Sequence, residues 1–246
     1  MSVRHGLAVV LLLVSSLASA DVTFSGFLQQ NTAFNTSEAN PDGHHHKWLE
    51  ERAQLKLDAS HGAWHLLVKG DLAWDHLGRQ DQSELREGYL DYTAGNWDLR
   101  VGRQVITWGL GDLVFVNDVW PKDHEALFAG RPLEYLKRGI DAIKLGAYPE
   151  FANFELVLAP DFRESRIPDA RRFHLYDPMP TVTARSTDLP SGGDGGLRIY
   201  RDVVGWDAAL YLYHGYQRTP SMRSGNTAAP TRIDYFYPKL SVYGVS

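Results

Sequence analysis

The chain has 246 residues, of which 43% are hydrophobic and 22% are charged, with a formal net charge of −5 and no cysteine. The acidic balance excludes the basic surface that nucleic-acid binding requires, so we expect no nucleic-acid partner. Without cysteine, stability has to come from packing or from a closed hydrogen-bonded sheet rather than from disulfides.

The first 20 residues have the three-part layout of a secretory signal. Arg4 precedes an apolar run from Leu7 to Val14, and small residues at 18–20 supply a cleavage site. A membrane-anchoring helix is the alternative, but the run is far shorter than the roughly 20 residues that such a helix needs. We therefore expect residues 1–20 to be a cleaved signal peptide and residues 21–246 to be an exported domain.

Alternation with period two is the dominant pattern after residue 20. In KWLEERAQLKLDA, residues 47–59, one alternate set is mostly apolar and the other is polar, and AWHLLVKGDLAWD repeats this at 63–75. We expect about ten such strands, in VTFSGFLQQNTAF, these two segments, ELREGYLDYTA, NWDLRVGRQVITW, GIDAIKLGAY, NFELVLAP, GLRIYRDV, WDAALYLYHGY and IDYFYPKLSVYGVS. Arg103 does not fit this pattern, because alternation from Val101 places it on the apolar side of its strand. A bulge near Gly102 would turn its side chain to the polar side.

Two features favour an antiparallel up-and-down transmembrane β-barrel over a soluble β-sandwich, which remains the alternative. Trp64 and Trp74 lie ten residues apart on one apolar face, and ten strand steps of about 3.3 Å at a tilt of about 40° rise about 25 Å, the height of a lipid-facing band. The expected connections alternate between short and long, as periplasmic turns and extracellular loops do. The expected aromatic girdle consists of Trp48, Trp64, Trp74 and Trp97.

The last predicted strand, IDYFYPKLSVYGVS, contains no closing pattern or terminal aromatic residue. We therefore expect an amino-terminal part of a larger barrel, with an open edge that would not be stable alone in lipid.

The stretch WGLGDLVFVNDVWPKD combines four consecutive apolar residues with three acids. It falls in the long connection 109–137, which we expect to fold into the barrel lumen and constrict it. There the carboxylates of Asp112, Asp118 and Asp123 either face the permeation path or pair with lumen cations; capping of local turns is the alternative. The lumen cations considered are Arg52, Lys56, Lys69 and Arg100. The expected wall residues are Glu50, Arg52, Lys56, Lys69, Asp71, Glu87 and Arg100.

The pieces LREGYLDY, LRVGRQVITWGLGDLVFVNDVWPKD and WDAALYLYHGYQRTP resemble a Gram-negative outer-membrane β-barrel family, mostly uncharacterised and similar in style to the alginate-export and phosphate-selective porins. The resemblance is concentrated in residues 84–148. It implies a porin-like channel in the cell outer membrane that passes small hydrophilic solutes by diffusion. The implied partners are outer-membrane lipids, the barrel-assembly machinery and further copies of the chain. A non-conducting barrel that presents its loops to a partner is the alternative.

Other motifs are weaker. The triplet His44-His45-His46 could approach a transition metal, but three adjacent ligands rarely enclose one, and a solvated loop is favoured. The acids of the 109–137 connection fit no standard calcium loop. No nucleophile elbow or phosphate-binding loop is present in the sequence, so we expect neither an enzyme nor a cofactor.

The loop PDFRESRIPDARRFH concentrates four arginines interleaved with acids. The arginines could attract an anionic solute or lipid phosphates. The interleaved acids favour a loop held together by its own salt bridges.

Overall fold

The computed structural model describes residues 21–36, 45–77, 80–108, 118–168, 173, 177, 179–225 and 229–246. The expected signal peptide at 1–20, Asp112 and His44 lie outside these residues. The described chain is all-β, and its helices are the short α1 (His124–Phe128) and a 3-10 helix (Leu133–Leu136). The strands are β1 (Asp21–Phe34), β2 (His46–His61), β3 (Trp64–Asp75), β4 (Gln80–Ala94), β5 (Trp97–Gln104), β6 (Ile140–Ala147), β7 (Asn153–Ala159), β8 (Ala184–Asp188), β9 (Asp194–Val203), β10 (Trp206–Tyr216), β11 (Ser221–Ser224), β12 (Arg232–Phe236) and β13 (Lys239–Val245).

Ten of these strands form one antiparallel sheet in the order β1-β2-β3-β4-β5-β6-β7-β9-β10-β13. The expected antiparallel up-and-down arrangement is therefore confirmed. The outermost strands β1 and β13 do not pair with each other, so the described sheet is not closed into a barrel.

The last predicted strand is wrong in its extent. Residues 233–246 were expected to form one strand, but the chain divides at Tyr237-Pro238 into β12 and β13. Pro238 lacks the N–H group that a continuous strand would need to donate. β12 instead joins β11 in antiparallel and β8 in parallel pairing, so that two long connections build a separate three-stranded sheet.

Connection lengths follow the expected alternation with one exception. Tight turns at Gly62, Gly95 and Gly205 have φ angles of 57°, 59° and 81°, a left-handed conformation that glycine adopts without strain. The connection between β3 and β4 was expected to be long, at residues 78–83. β3 ends at Asp75 as predicted, but β4 begins at Gln80 rather than at Glu84, which leaves only residues 76–79 between the two strands.

The two faces of the ten-stranded sheet differ sharply in composition and burial. We call the face that carries Glu50, Arg52, Gln54, Lys69, Asp71, Glu84, Arg100 and Lys144 the polar face, and the face that carries Leu28, Leu55, Leu72, Leu90, Val101, Ile143, Leu158 and Leu210 the apolar face. The polar face lies under residues 118–139 and its central side chains are buried, whereas the apolar residues are exposed. On β2 and β3 the burial is thus the reverse of that in a soluble domain, with charged side chains buried and leucines exposed.

No helix among the described residues is both long enough and apolar enough to span a membrane.

Candidate functional site: the polar face and its covering segment

Residues 118–139, here called the covering segment, contain α1 and the 3-10 helix. The side chain of Asp123 caps α1 by accepting a hydrogen bond from Ala126 N at 2.9 Å, as an N-terminal carboxylate commonly does. The second oxygen of Asp123 accepts from Arg166 Nη1 at 2.8 Å. Asp123 therefore fixes the start of α1 and links the covering segment to the connection that follows β7.

A buried charge network joins the covering segment to β2 and β3. Arg131 Nη2 donates to Glu50 Oε2 at 2.7 Å, and Arg52 Nε donates to Glu50 Oε1 at 3.1 Å. Arg52 Nη1 also donates to Asp71 Oδ2 at 2.8 Å. Each charge has an opposite partner within hydrogen-bond distance, which is the condition for burying ions without a large loss of stability.

Tyr135 of the 3-10 helix is the centre of a second contact with the polar face. Its hydroxyl accepts a hydrogen bond from Gln54 Nε2 at 2.9 Å. The guanidinium of Arg86 lies 4.0 Å from the centre of the Tyr135 ring, and that of Arg52 lies 5.1 Å away, both within cation–π range. Burial, followed by the charge of Asp71, raises the pKa of Tyr135 to about 12.

Asp118 pairs within the covering segment. Lys122 Nζ lies 2.8 Å from its Oδ1, and Lys137 Nζ lies 3.4 Å from its Oδ2. Burial lowers the pKa of Lys122 to about 8, and the charge of Asp118 opposes that shift. The expectation that Asp118 and Asp123 face an open path or pair with Arg52, Lys56, Lys69 or Arg100 differs from this geometry, since both acids are buried and pair with other cations.

Two arginines of the connection after β7 pair with Glu84 of β4 and not with the acidic residues next to them in the sequence. Arg163 Nη2 and Arg166 Nη2 donate to the two oxygens of Glu84 at 2.9 and 3.1 Å. Burial, together with the charge of Arg138, lowers the pKa of Arg163, whereas Asp123 and Glu84 outweigh burial and raise the pKa of Arg166. The prediction that this loop is held together by its own salt bridges is therefore wrong for Arg163 and Arg166.

The remaining predicted wall residues have the following positions. Lys69 contacts Glu134 of the covering segment. Glu87 Oε1 accepts from Val105 N at 3.4 Å. Lys56 and Arg100 lie on the half of the polar face nearer the tight turns, beyond the covering segment, and pair with Asp58 and Asp91. This half is partly open to water.

Between β6 and β10 the polar face is packed with aromatic side chains. Trp108 and Trp120 have ring centroids 5.2 Å apart, and Tyr213 lies 5.6 Å from Trp120. Trp108 Nε1 donates to Glu155 at 2.6 Å, and Tyr211 donates its hydroxyl proton to Trp108 O at 3.1 Å. This part of the face is therefore a solid core.

The aromatic girdle stays a prediction for three of its tryptophans, and the position of the fourth does not fit it. Trp64, Trp74 and Trp97 are exposed on the apolar face. Trp48 has the opposite orientation, because it occupies the same alternate set as Glu50 on β2, and it is buried under Arg131, whose guanidinium lies 4.8 Å from its ring. The tryptophan of an alternating strand belongs to whichever face its position dictates.

One ion pair does lie on the apolar face. Pairing of β5 with β4 and β6 is regular through Gly102, so no bulge re-aims Arg103. Arg103 Nη2 donates to Asp141 on the neighbouring strand at 2.6 Å. Both residues are at the ends of their strands nearest the long connections.

Within the described parts of the chain, no group of three or more histidine, aspartate or glutamate side chains is positioned to hold a metal ion. Sequence reasoning missed Arg86, Arg131 and Tyr135 as partners of the polar face. Arg86 is the extra residue of a register shift between β3 and β4, which simple alternation does not reveal. Arg131 and Tyr135 reach β2 from 81 residues away, and no local pattern indicates this.

Comparison with known proteins adds no relative: no protein-family model matches the chain, and no curated protein matches it.

Proposed function

We propose that this chain forms a porin-like channel of the outer membrane, through which small hydrophilic solutes diffuse passively. The observation that carries the proposal is the inverted burial of the two faces. Leu28, Leu55 and Leu72 are 88%, 68% and 58% exposed, whereas Glu50 and Arg52 are 0% and 6% exposed. Soluble proteins rarely leave a continuous apolar surface in water, whereas the lipid-facing wall of a barrel requires one.

Strand length and aromatic placement support the same proposal. β2, β3 and β4 have 16, 12 and 15 residues. At about 3.3 Å per residue and a tilt of about 40°, strands of this length cross an apolar band of about 25 Å. Trp64, Tyr92 and Trp97 form a row beside the tight turns, with ring centroids 4.6 and 5.6 Å apart. Such a row suits the interface between lipid and water.

In lipid, the unpaired edges of β1 and β13 would be costly, since their N–H and C=O groups would have no partners. We propose that additional strands pair with these edges and complete the barrel. In this proposal residues 1–20 direct export, and the barrel-assembly machinery inserts the domain among outer-membrane lipids with its tight turns in the periplasm.

Transport in this proposal is physical rather than catalytic. Polar side chains replace part of the hydration that a solute loses, and the covering segment narrows the passage. The part of the polar face beyond the covering segment supplies the water-accessible wall, with Lys56, Asp58 and Arg100.

A second candidate is a non-conducting barrel that presents its long connections to a partner. The packing of Trp108, Trp120 and Tyr213 against the polar face favours it, because these rings exclude water from β6 to β10. The small sheet of β8, β11 and β12 would then be part of the presented surface.

Conductance across a planar lipid bilayer separates the candidates. We expect the purified protein, with its barrel completed by the additional strands, to produce stepwise currents, and Tyr135→Ala to increase the single-channel conductance because it releases the covering segment. Arg232→Ala, on the exposed small sheet, is the matched control and should conduct as the wild type does. Protein that stays in the aqueous phase with lipid vesicles would overturn the membrane assignment, and inserted protein without current would favour the second candidate.

A further inference from the structure

His65 lies on the polar face of β3, between carboxylates of both neighbouring strands. Its Nε2 is 2.9 Å from Asp58 Oδ1 on β2, and its Nδ1 is 3.2 Å from Asp91 Oδ2 on β4. The side chain is 31% exposed, so water reaches the ring. His65 therefore links three adjacent strands through one exchangeable proton.

The number of hydrogen bonds that His65 can donate depends on the protonation of its ring. An ionised carboxylate only accepts hydrogen bonds, and a neutral imidazole has a single N–H donor. Two carboxylates facing the two ring nitrogens are both satisfied only when both nitrogens carry hydrogen, as in the imidazolium ion. Loss of that proton leaves one carboxylate facing a nitrogen lone pair. Both contacts are therefore hydrogen bonds only when the ring is charged.

The charged side chains around His65 nearly cancel one another, so the proton on His65 changes the net charge of the group. Lys56 Nζ lies 2.9 Å from Asp58 Oδ2, and Arg100 donates to both oxygens of Asp91 at 2.6 and 2.9 Å. With His65 protonated, three cations face two carboxylates. Without the proton, two cations face two carboxylates, so the group loses its net positive charge.

Other titratable groups near His65 come from the same strands. Tyr89 of β4 lies with its ring centroid 6.1 Å from that of His65, and the Arg100 guanidinium covers the Tyr89 ring at 3.9 Å. Glu87 on β4 and Lys69 on β3 lie further along, towards the covering segment. Phenol and lysine side chains titrate well above neutral pH and carboxylates well below it, whereas imidazole titrates in the physiological range.

We propose that His65 is a proton-controlled charge on the channel wall, and that its protonation sets the preference of the channel for cations or anions. The inference rests on the proposed channel function. Protonated His65 makes its end of the passage more favourable to anions. Deprotonation makes it more favourable to cations, through Asp58 and Asp91.

The test measures the reversal potential of the protein with its completed barrel in a planar bilayer under a potassium chloride gradient. The two conditions are about pH 5 and about pH 7, which span most of the titration of imidazole and stay below the pKa of Lys122, about 8. We expect the potassium-to-chloride permeability ratio of the wild type to rise about twofold, the order expected from one charge acting through water within a Debye length of about 10 Å. His65→Gln should remove this pH dependence. His65→Lys should hold the ratio at its low-pH value.

His214→Gln is the matched control, since His214 lies on the apolar face and bonds to Ser241 Oγ at 2.9 Å. It should keep the pH dependence of the wild type. A conducting channel whose selectivity has the same pH dependence in the wild type and in His65→Gln would overturn this inference alone. Absence of current at every pH would overturn the proposed function and this inference together.

Discussion

Arg131 and Glu50 form an ion pair with an N–O distance of 2.7 Å between side chains that are 4% and 0% exposed. The pair joins the covering segment to the first third of β2. Because Arg52 also pairs with Glu50, the carboxylate is shared by two guanidinium groups. A buried arrangement of this kind adds little net stability compared with apolar packing, but loss of one member leaves charge without compensation.

Replacing Arg131 with leucine should therefore loosen the covering segment. Arg52 remains as a partner for Glu50, so we expect a loss near the lower end of the roughly 3–5 kcal/mol that follows the breaking of a buried pair. Urea unfolding in detergent micelles measures the loss, and chymotrypsin cleavage at the exposed Phe128 reports the loosening. Arg232→Ala removes an exposed ion pair and should change stability by less than about 1 kcal/mol. Equal cleavage of the wild type and Arg131→Leu would contradict the anchoring role.

Lipid contact should divide the seven tryptophans into two classes. Trp64, Trp74, Trp97 and Trp206 are exposed, whereas Trp48, Trp108 and Trp120 are 3%, 1% and 2% exposed. Brominated lipids quench indoles that they touch, so single-tryptophan variants that retain Trp64 or Trp97 should lose most of their fluorescence in brominated vesicles. A variant that retains only Trp120 is the control and should lose little. Uniform quenching, or none at all, would contradict a lipid-facing apolar face.

The strands could be predicted from sequence because alternation reports directly which side chains share a face. Leu55 and Glu50 belong to opposite alternate sets of β2, so alternation alone places Leu55 on the apolar face and Glu50 on the polar face. The covering segment could not be predicted in the same way, since the contact of Tyr135 with Gln54 spans 81 residues. Trp48 does not fit the predicted girdle, because its position on β2, and not its residue type, sets the face on which it lies. Position in the alternation predicts the face of a strand residue better than residue type does.

Gly196 is a position where a small side chain should be costly. A Cβ atom there would lie 2.2 Å from Cη2 of the buried Trp108 ring. That ring is held by the hydrogen bond from its Nε1 to Glu155 and by the Tyr211 ring, whose centroid lies 5.9 Å away. Gly196→Ala should therefore destabilise the sheet by about 1–3 kcal/mol through overpacking. Gly70→Ala is the matched control on β3, since its Cβ would meet only Glu84 O at 3.7 Å. Thermal unfolding of both variants by circular dichroism compares them, and equal midpoints would contradict the tight packing of Trp108.

Lys122 should impose a pH dependence on stability at alkaline pH. Its pKa is about 8 in the folded protein, against an ordinary value of 10.5, because burial disfavours the ammonium ion. Between these values the unfolded chain holds a proton that the folded chain has released, so stability rises with pH across this window. The burial penalty is fully present below about pH 8 and is relieved as the pH approaches 10.5.

The measurement is the difference in unfolding free energy between the wild type and Lys122→Met. The ionisations of Tyr135 and of other groups occur in both proteins and cancel in this difference. We expect this difference to change in favour of the wild type by at most about 1.4 kcal/mol per pH unit. Asp118 keeps Lys137 as a partner in the variant, at 3.4 Å, so its carboxylate does not lose every cation. A difference that stays constant across the window, or that falls with pH, would show that burial does not disfavour the ammonium ion of Lys122.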